Sequence, residues 1–271
     1  MRAFLLAYRY ICESSQYNET QMSEARKLPF PPAGLLAQAS LFLDFDGTLV
    51  EIAARPDAVT VEGRLRALIA DLHAYLAGRV AIISGRAADN IRTLLDGLAI
   101  TVAGSHGAEL CWANGECRTM PTPPYDIEAG GLLRKLRARY PAILIERKPV
   151  GLALHFRQAP QAEAECREVA GQIAARSGLM AQPGKMVIEL KAASADKGTA
   201  LRLLLAHPPM KDGRPIFIGD DETDEAGFRA AADLGGAGII VGEERTTAAS
   251  YRLPNVDQTL DWLENSLRVR T

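Results

Sequence analysis

Between Ser40 and Ala103, short apolar runs alternate with segments whose apolar residues recur at helical spacing. Ser40 to Phe45 is the first run, and after it Leu65, Leu68, Ile69, Leu72 and Leu76 mark an amphipathic helix that Gly78 stops. Val80 to Ile83 is a second run. Ile91, Leu94 and Leu95 mark a second helix ended by Gly97, and Ile100 to Ala103 is a third run. The order is β-α-β-α-β. Crossovers of that kind give a parallel sheet with helices on both faces, and ligands bind beyond the carboxyl ends of its strands. The polar residues that follow each strand are therefore the ones to inspect.

The texture changes between about Cys111 and Lys191, where Pro and Gly punctuate the chain. The alternating runs Ile143 to Lys148 and Leu152 to Arg157 flank Pro149-Val150-Gly151, which predicts an antiparallel hairpin in a second domain. From Asp196 the first texture returns: Leu201 to Ala206 and Glu225 to Ala232 read as helices, Pro215 to Ile218 and Gly238 to Val241 as strands. The expected fold is α/β, a Rossmann-like parallel-sheet core of residues 36–110 plus 192–271, interrupted by an inserted α+β domain at 111–191. Residues 1–35 read as a loosely ordered extension closed by Pro31-Pro32. A length of 271 residues suits two domains, and no 20–50-residue repeat or low-complexity tract argues otherwise.

Charge excludes several function classes. Lys and Arg number 31 against 33 Asp and Glu, a net charge of −2, so there is no broad positive field to hold a nucleic acid or an anionic membrane. A small, locally recognised ligand fits better, acted on by a monomer. Cys12, Cys111, Cys117 and Cys166 have neither the spacing of a zinc site nor the density of a disulfide scaffold, and read as free thiols in a reducing cytoplasm. The apolar stretch Ala3 to Tyr8 is too short for a secretory leader and no cleavage site follows it, and no run approaches the ~18 apolar residues of a membrane span.

The chemistry begins at Asp44-Phe45-Asp46-Gly47-Thr48, at the exit of the first strand, where alternation points two carboxylates to one side and Gly47 permits a sharp turn. A calcium loop would need Gly at its sixth position and Glu at its twelfth. Counted from Asp44 those positions hold Leu49 and Arg55. A solvated Asp-Gly turn is the plain alternative. Downstream stand Ser84-Gly85-Arg86 after the second strand, Lys197 opening a helix, and Gly219-Asp220-Asp221-Glu222-Thr223-Asp224-Glu225 after a later strand. Each alone reads as a helix cap, a solvated charge or partners of a helix dipole.

In this order the four segments resemble the motifs of the haloacid-dehalogenase-like phosphatases. That resemblance implies an aspartyl-phosphate mechanism with Asp44 as nucleophile and Asp46 as general acid and base. It implies Mg²⁺ held by Asp44, the backbone carbonyl of Asp46, Asp220 and waters, with Asp221 or Asp224 acting directly or through water. Lys197 would supply a second positive charge, and Ser84 a donor to a phosphoryl oxygen. The insertion resembles the large cap of one branch of the superfamily.

Three further segments resemble the trehalose-6-phosphate phosphatases: Gly104-Ser105-His106-Gly107-Ala108-Glu109, Glu146-Arg147-Lys148 leading to Leu154-His155-Phe156-Arg157, and Gly184-Lys185-Met186-Val187-Ile188-Glu189-Leu190. The match spans about Ser40 to Val241. It implies trehalose 6-phosphate as substrate, with Glu146, Lys148 and Glu189 as sugar contacts and Arg86, His106 and Glu109 as further substrate contacts. Period-two alternation places Glu146 and Lys148 on one strand face, although a salt-bridged solvent face would show the same pattern. His155 reads as a strand residue without a chemical role, and His73 and His207 lie away from the motifs. The nearest alternative keeps the chemistry with another sugar phosphate. A receiver-like phospho-accepting module and a sugar-phosphate-binding protein without turnover are alternatives from other classes. A nucleotide-binding reading fails, because Gly235-Gly236-Ala237-Gly238 precedes a strand instead of following one.

Overall fold

The computed structural model describes residues 27–53, 55–120, 126–192 and 195–268. The chain runs β1 (Ala39–Leu43), α1 (Gly63–Tyr75), β2 (Val80–Ile83), α2 (Ala88–Leu94), β3 (Thr101–Gly104), β4 (Glu109–Cys111) and β5 (Cys117–Thr119). It continues through α3 (Asp126–Arg139), β6 (Leu144–Lys148), β7 (Gly151–His155), α4 (Glu163–Ser177), β8 (Leu179–Gly184) and β9 (Val187–Ala192). The last stretch is α5 (Lys197–Leu205), β10 (Arg214–Gly219), α6 (Glu225–Asp233), β11 (Ala237–Val241), β12 (Tyr251–Leu253) and α7 (Val256–Ser266).

The first sheet has the order β12-β11-β10-β1-β2-β3-β4-β5, parallel from β12 to β3 and antiparallel beyond. Every residue of β1, β2, β3 and β11 is buried, as uninterrupted apolar strands covered on both faces must be. Alternation sorts their side chains. Leu41, Leu43, Val80 and Ile82 pack with α1 and α7 on one face, while Phe42, Ala81 and Ile83 pack with α5 and α6 on the other. The second sheet, β6-β7-β9-β8, is antiparallel. Leu133, Leu136, Cys166, Ile173, Leu154 and Leu190 join it to α3 and α4 in a core of its own.

Several expectations are corrected. β4 and β5 belong to the first sheet, so that sheet continues past residue 110, where the insertion was placed. Cys111 and Cys117 are not free thiols. They face each other in the β4–β5 register, with Cα atoms 4.1 Å apart, and form a disulfide. Cys166 is free and buried, and burial pushes its thiol up to about 11. Cys12 and most of the expected extension lie outside the described residues, but the chain is already packed by Pro29. The Pro29 carbonyl accepts from Arg252 N at 3.1 Å and the Pro31 carbonyl accepts from the Trp262 indole at 3.0 Å. No helix among the described residues is long and apolar enough to cross a membrane.

Candidate active site

The carboxyl ends of β1, β2 and β10 open into one cavity, which the second sheet covers. Asp44 follows β1 directly, its N–H donating to the Ile218 carbonyl at 2.8 Å, and its side chain is buried. The chain then doubles back: Gly47 N donates to the Val50 carbonyl at 2.7 Å, and Gly47 has φ +86°. A Cβ at that position would lie 2.2 Å from Asp220 Oδ2. Glycine is therefore required twice, by backbone conformation and by the approach of a second carboxylate.

Lys197 opens α5, where the Asp196 side chain caps the helix by accepting from Thr199 N at 2.9 Å. Its Nζ donates to Asp44 Oδ1 at 2.7 Å and to Asp224 Oδ1 at 2.6 Å. Burial would lower Lys197, but Asp224 and Asp44 hold it well above its ordinary value. Asp224 Oδ2 accepts from Asp220 N and Asp221 N at 2.9 and 3.0 Å, so both its oxygens are engaged. Asp221 Oδ1 accepts from Thr223 N and Oγ1 at 2.8 and 2.6 Å.

Four carboxylates thus surround one ammonium, and the excess shows in the titration of Asp44 and Asp220. Burial raises Asp44 to about 7, with Lys197 opposing and Asp220 and Asp221 adding to the rise. Burial also raises Asp220 to about 7, reinforced by Asp224 and Asp221. Asp44, Asp220 and Asp224 each offer a carboxylate oxygen, all within 4.8 Å of one another. An all-oxygen set with surplus negative charge fits a hard divalent cation such as Mg²⁺. Asp221 stands outside that trio.

Ser84, at the end of β2, is buried, and its hydroxyl accepts from Arg86 N at 3.1 Å. Arg86, expected to contact substrate, lines the cavity and forks onto Asp46. Its Nε reaches Oδ2 at 2.6 Å and an Nη reaches Oδ1 at 2.7 Å, while the other Nη donates to Asn90 at 2.9 Å. Glu109, also expected to contact substrate, is turned away: it is buried on β4 outside the cavity lining and accepts from Ser105 Oγ at 2.5 Å.

The turn after β3 carries left-handed backbone at Ser105, His106 and Gly107 (φ 48°, 56° and 97°). It is tied to the β2 loop by Ser105 N to the Arg86 carbonyl at 2.7 Å and His106 N to the Ser84 carbonyl at 2.9 Å. His106 lines the cavity and its Nε2 meets Glu189 Oε2. Burial pushes His106 down, against the pull of Glu189. A Cβ on Gly85 would lie 2.8 Å from that same Nε2.

Glu146 and Lys148 on β6 and Glu189 on β9 line the opposite wall. Lys148 Nζ donates to Glu189 Oε1 at 2.5 Å and to the Gly85 carbonyl at 2.6 Å, so charged contacts cross from the inserted sheet to the core. Burial works against the Glu189 carboxylate, yet His106 and Lys148 hold it well below its ordinary value. Glu146 is likewise lowered: burial opposes this, and the His155 hydrogen bond and the Lys148 charge outweigh it.

His155 corrects an expectation, for it lines the cavity and pairs with Glu146. The hairpin register could have found it. With Glu146 opposite Ala153 and Leu144 opposite His155, Glu146 and His155 are diagonal neighbours on one face. Sequence reasoning also missed Ile52, Ala53, Arg157, Lys185 and Met186 on the cavity wall. It missed the buried Lys191 too, which burial lowers to about 8.

The family model described as trehalose-phosphatase matches residues 42–257. The chain is 36% identical over 234 residues to the trehalose-6-phosphate phosphatase of Escherichia coli (strain K12), covering 85% of this chain and 87% of that protein. It is 37% identical over 206 residues to a probable trehalose-phosphate phosphatase of Sinorhizobium fredii (strain NBRC 101917 / NGR234), covering 75% and 77%. A solved structure described as a trehalose-6-phosphate phosphatase related protein superposes with a TM-score of 0.69 at 29% identity, covering 83% of this chain and 95% of that one.

Proposed function

The chain belongs to the trehalose-phosphatase family, and from that premise we propose that it hydrolyses trehalose 6-phosphate to trehalose and phosphate through an aspartyl-phosphate on Asp44. One observation carries the reading. A buried carboxylate paired with Lys197 shares a single cavity with Glu146, Lys148 and Glu189, which suit sugar hydroxyls.

Asp44 attacks phosphorus, its oxygen forming a bond as the bond to the sugar oxygen breaks. The Lys197 ammonium, 2.7 Å from Asp44 Oδ1, orients the nucleophile and offsets charge on the phosphoryl group. Ser84 Oγ donates to a phosphoryl oxygen. Asp46 gives its proton to the departing sugar oxygen and later takes one from the water that attacks phosphorus and frees Asp44. Arg86 occupies both Asp46 oxygens, the carboxylate form needed for the second half. In the first half, a proton on Asp46 replaces one of those two bonds.

Mg²⁺ held by Asp44, Asp220 and the Asp46 backbone carbonyl would supply positive charge against the phosphoryl oxygens. Asp224, its oxygens already taken by Lys197 and two backbone N–H groups, holds the Asp220 loop and Lys197 in place. The partner in this reading is a small sugar phosphate, met by a monomer.

Phosphate release from trehalose 6-phosphate, glucose 6-phosphate and sucrose 6-phosphate, with Mg²⁺ and then with EDTA, tests the proposal. A metal-dependent rate confined to trehalose 6-phosphate is expected. A broad metal-dependent rate would discard the sugar, and no release at all would discard the enzyme.

A further inference from the structure

We infer that His155 is a positioning residue that fixes the Glu146 carboxylate for sugar recognition, an inference that rests on the function proposed above. Its Nε2 lies 2.8 Å from Glu146 Oε2, and both side chains line the cavity. The placement follows from the hairpin. β6 and β7 are joined by Pro149-Val150 alone, Lys148 pairs with Gly151, and the register then sets Glu146 and His155 diagonally on one face.

Of the two glutamates on the sugar wall, Glu189 is 16% exposed and held through both oxygens, by Lys148 and His106. Glu146 is 31% exposed, and among the described residues His155 alone bonds its carboxylate. A glutamate has three rotatable bonds, and ordering it on binding weakens affinity. With Oε2 held by the imidazole N–H, Oε1 remains as an acceptor for a sugar hydroxyl. Each sugar-facing glutamate therefore carries a histidine, one from the core and one from the inserted sheet. A cross-strand pair with no functional role would serve stability alone, and kinetics separate the two.

The experiment is steady-state hydrolysis of trehalose 6-phosphate by the wild type, His155→Ala, His155→Gln, Glu146→Ala and the Glu146→Ala/His155→Ala pair. His155→Ala is expected to raise KM on the order of ten-fold, as loss of one hydrogen-bond constraint does, with a much smaller fall in kcat. His155→Gln places an amide N–H near Nε2 and should recover most of the loss. The double variant should be no worse than Glu146→Ala alone, because His155 acts through Glu146. An unchanged KM in His155→Ala, failure of Gln to recover, or additive effects would overturn the positioning role and leave the proposed function standing. An unchanged KM in Glu146→Ala would overturn it in the same way. No turnover by the wild type would overturn the proposed function, and this inference with it.

Discussion

Gly47→Ala asks whether the active-site turn is shaped for its backbone or for the carboxylate beside it. At φ +86° an L-residue is strained by about 1–2 kcal/mol. The new Cβ would stand 2.2 Å from Asp220 Oδ2, whereas real Cβ atoms essentially never come within 3.0 Å of another heavy atom, so the carboxylate must retreat by at least 0.8 Å, the difference of the two. Misplacing a reacting or ligating group by about 1 Å costs on the order of 10²-fold in rate. Gly97 supplies the control, since its φ is +72° but nothing lies within 4 Å of its Cβ position. Both alanine variants should lose about 1–2 kcal/mol of stability in denaturant unfolding. Only Gly47→Ala should lose about 10²-fold in kcat/KM for phosphate release from trehalose 6-phosphate at saturating Mg²⁺. Equal activity of the two variants would refute the reasoning, because strain without displacement of Asp220 would then be the whole effect.

Lys191→Met should stabilise the protein at pH 7. The folded-state value of about 8 lies below the ordinary 10.5, so between those limits the unfolded chain binds more protons and stability rises with pH. The cost of burying the charge is fully present below pH 8 and amounts to at most about 3 kcal/mol. Urea unfolding of the variant should show a gain at pH 7 that shrinks toward pH 10.5, and a gain that grows with pH would contradict the assignment. Mg²⁺ should raise the thermal unfolding midpoint of the wild type, by mass action on the folded state, and Asp220→Asn should abolish most of that rise. An equal rise in the variant would remove Asp220 from the metal site. Glu189→Gln weakens the contacts to Lys148 and His106 and should raise KM for trehalose 6-phosphate more than it lowers kcat, whereas a loss confined to kcat would place Glu189 in the chemistry instead.

The parallel strands were legible because burial on both faces makes them uninterrupted apolar runs, and the four motifs were legible because each sits where such a strand ends or a helix begins. The two helices of the inserted unit were not. α3 carries Gly130-Gly131 amid charged residues, and the Ala- and Glu-rich α4 buries only a narrow stripe of Cys166, Val169, Ala170 and Ile173. β12 is three residues long with one of them buried, too short for alternation to register. Glu109, off the cavity wall, and the partner of Arg86 show the limit for the site. A sequence places a charged residue near a strand end, but only packing decided that Glu109 turns to Ser105 and that Arg86 forks onto Asp46. The Cys111–Cys117 bond and the Glu146–His155 pair both depend on hairpin register, which residue types alone do not specify.

The most direct test of the account is to stop turnover of trehalose 6-phosphate with acid and map the covalently bound phosphoryl group by mass spectrometry, in the wild type and in Asp44→Asn. The account predicts the group on Asp44 in the wild type and neither adduct nor turnover in the variant. A phosphoryl group on another residue, or turnover that survives in Asp44→Asn, would contradict it.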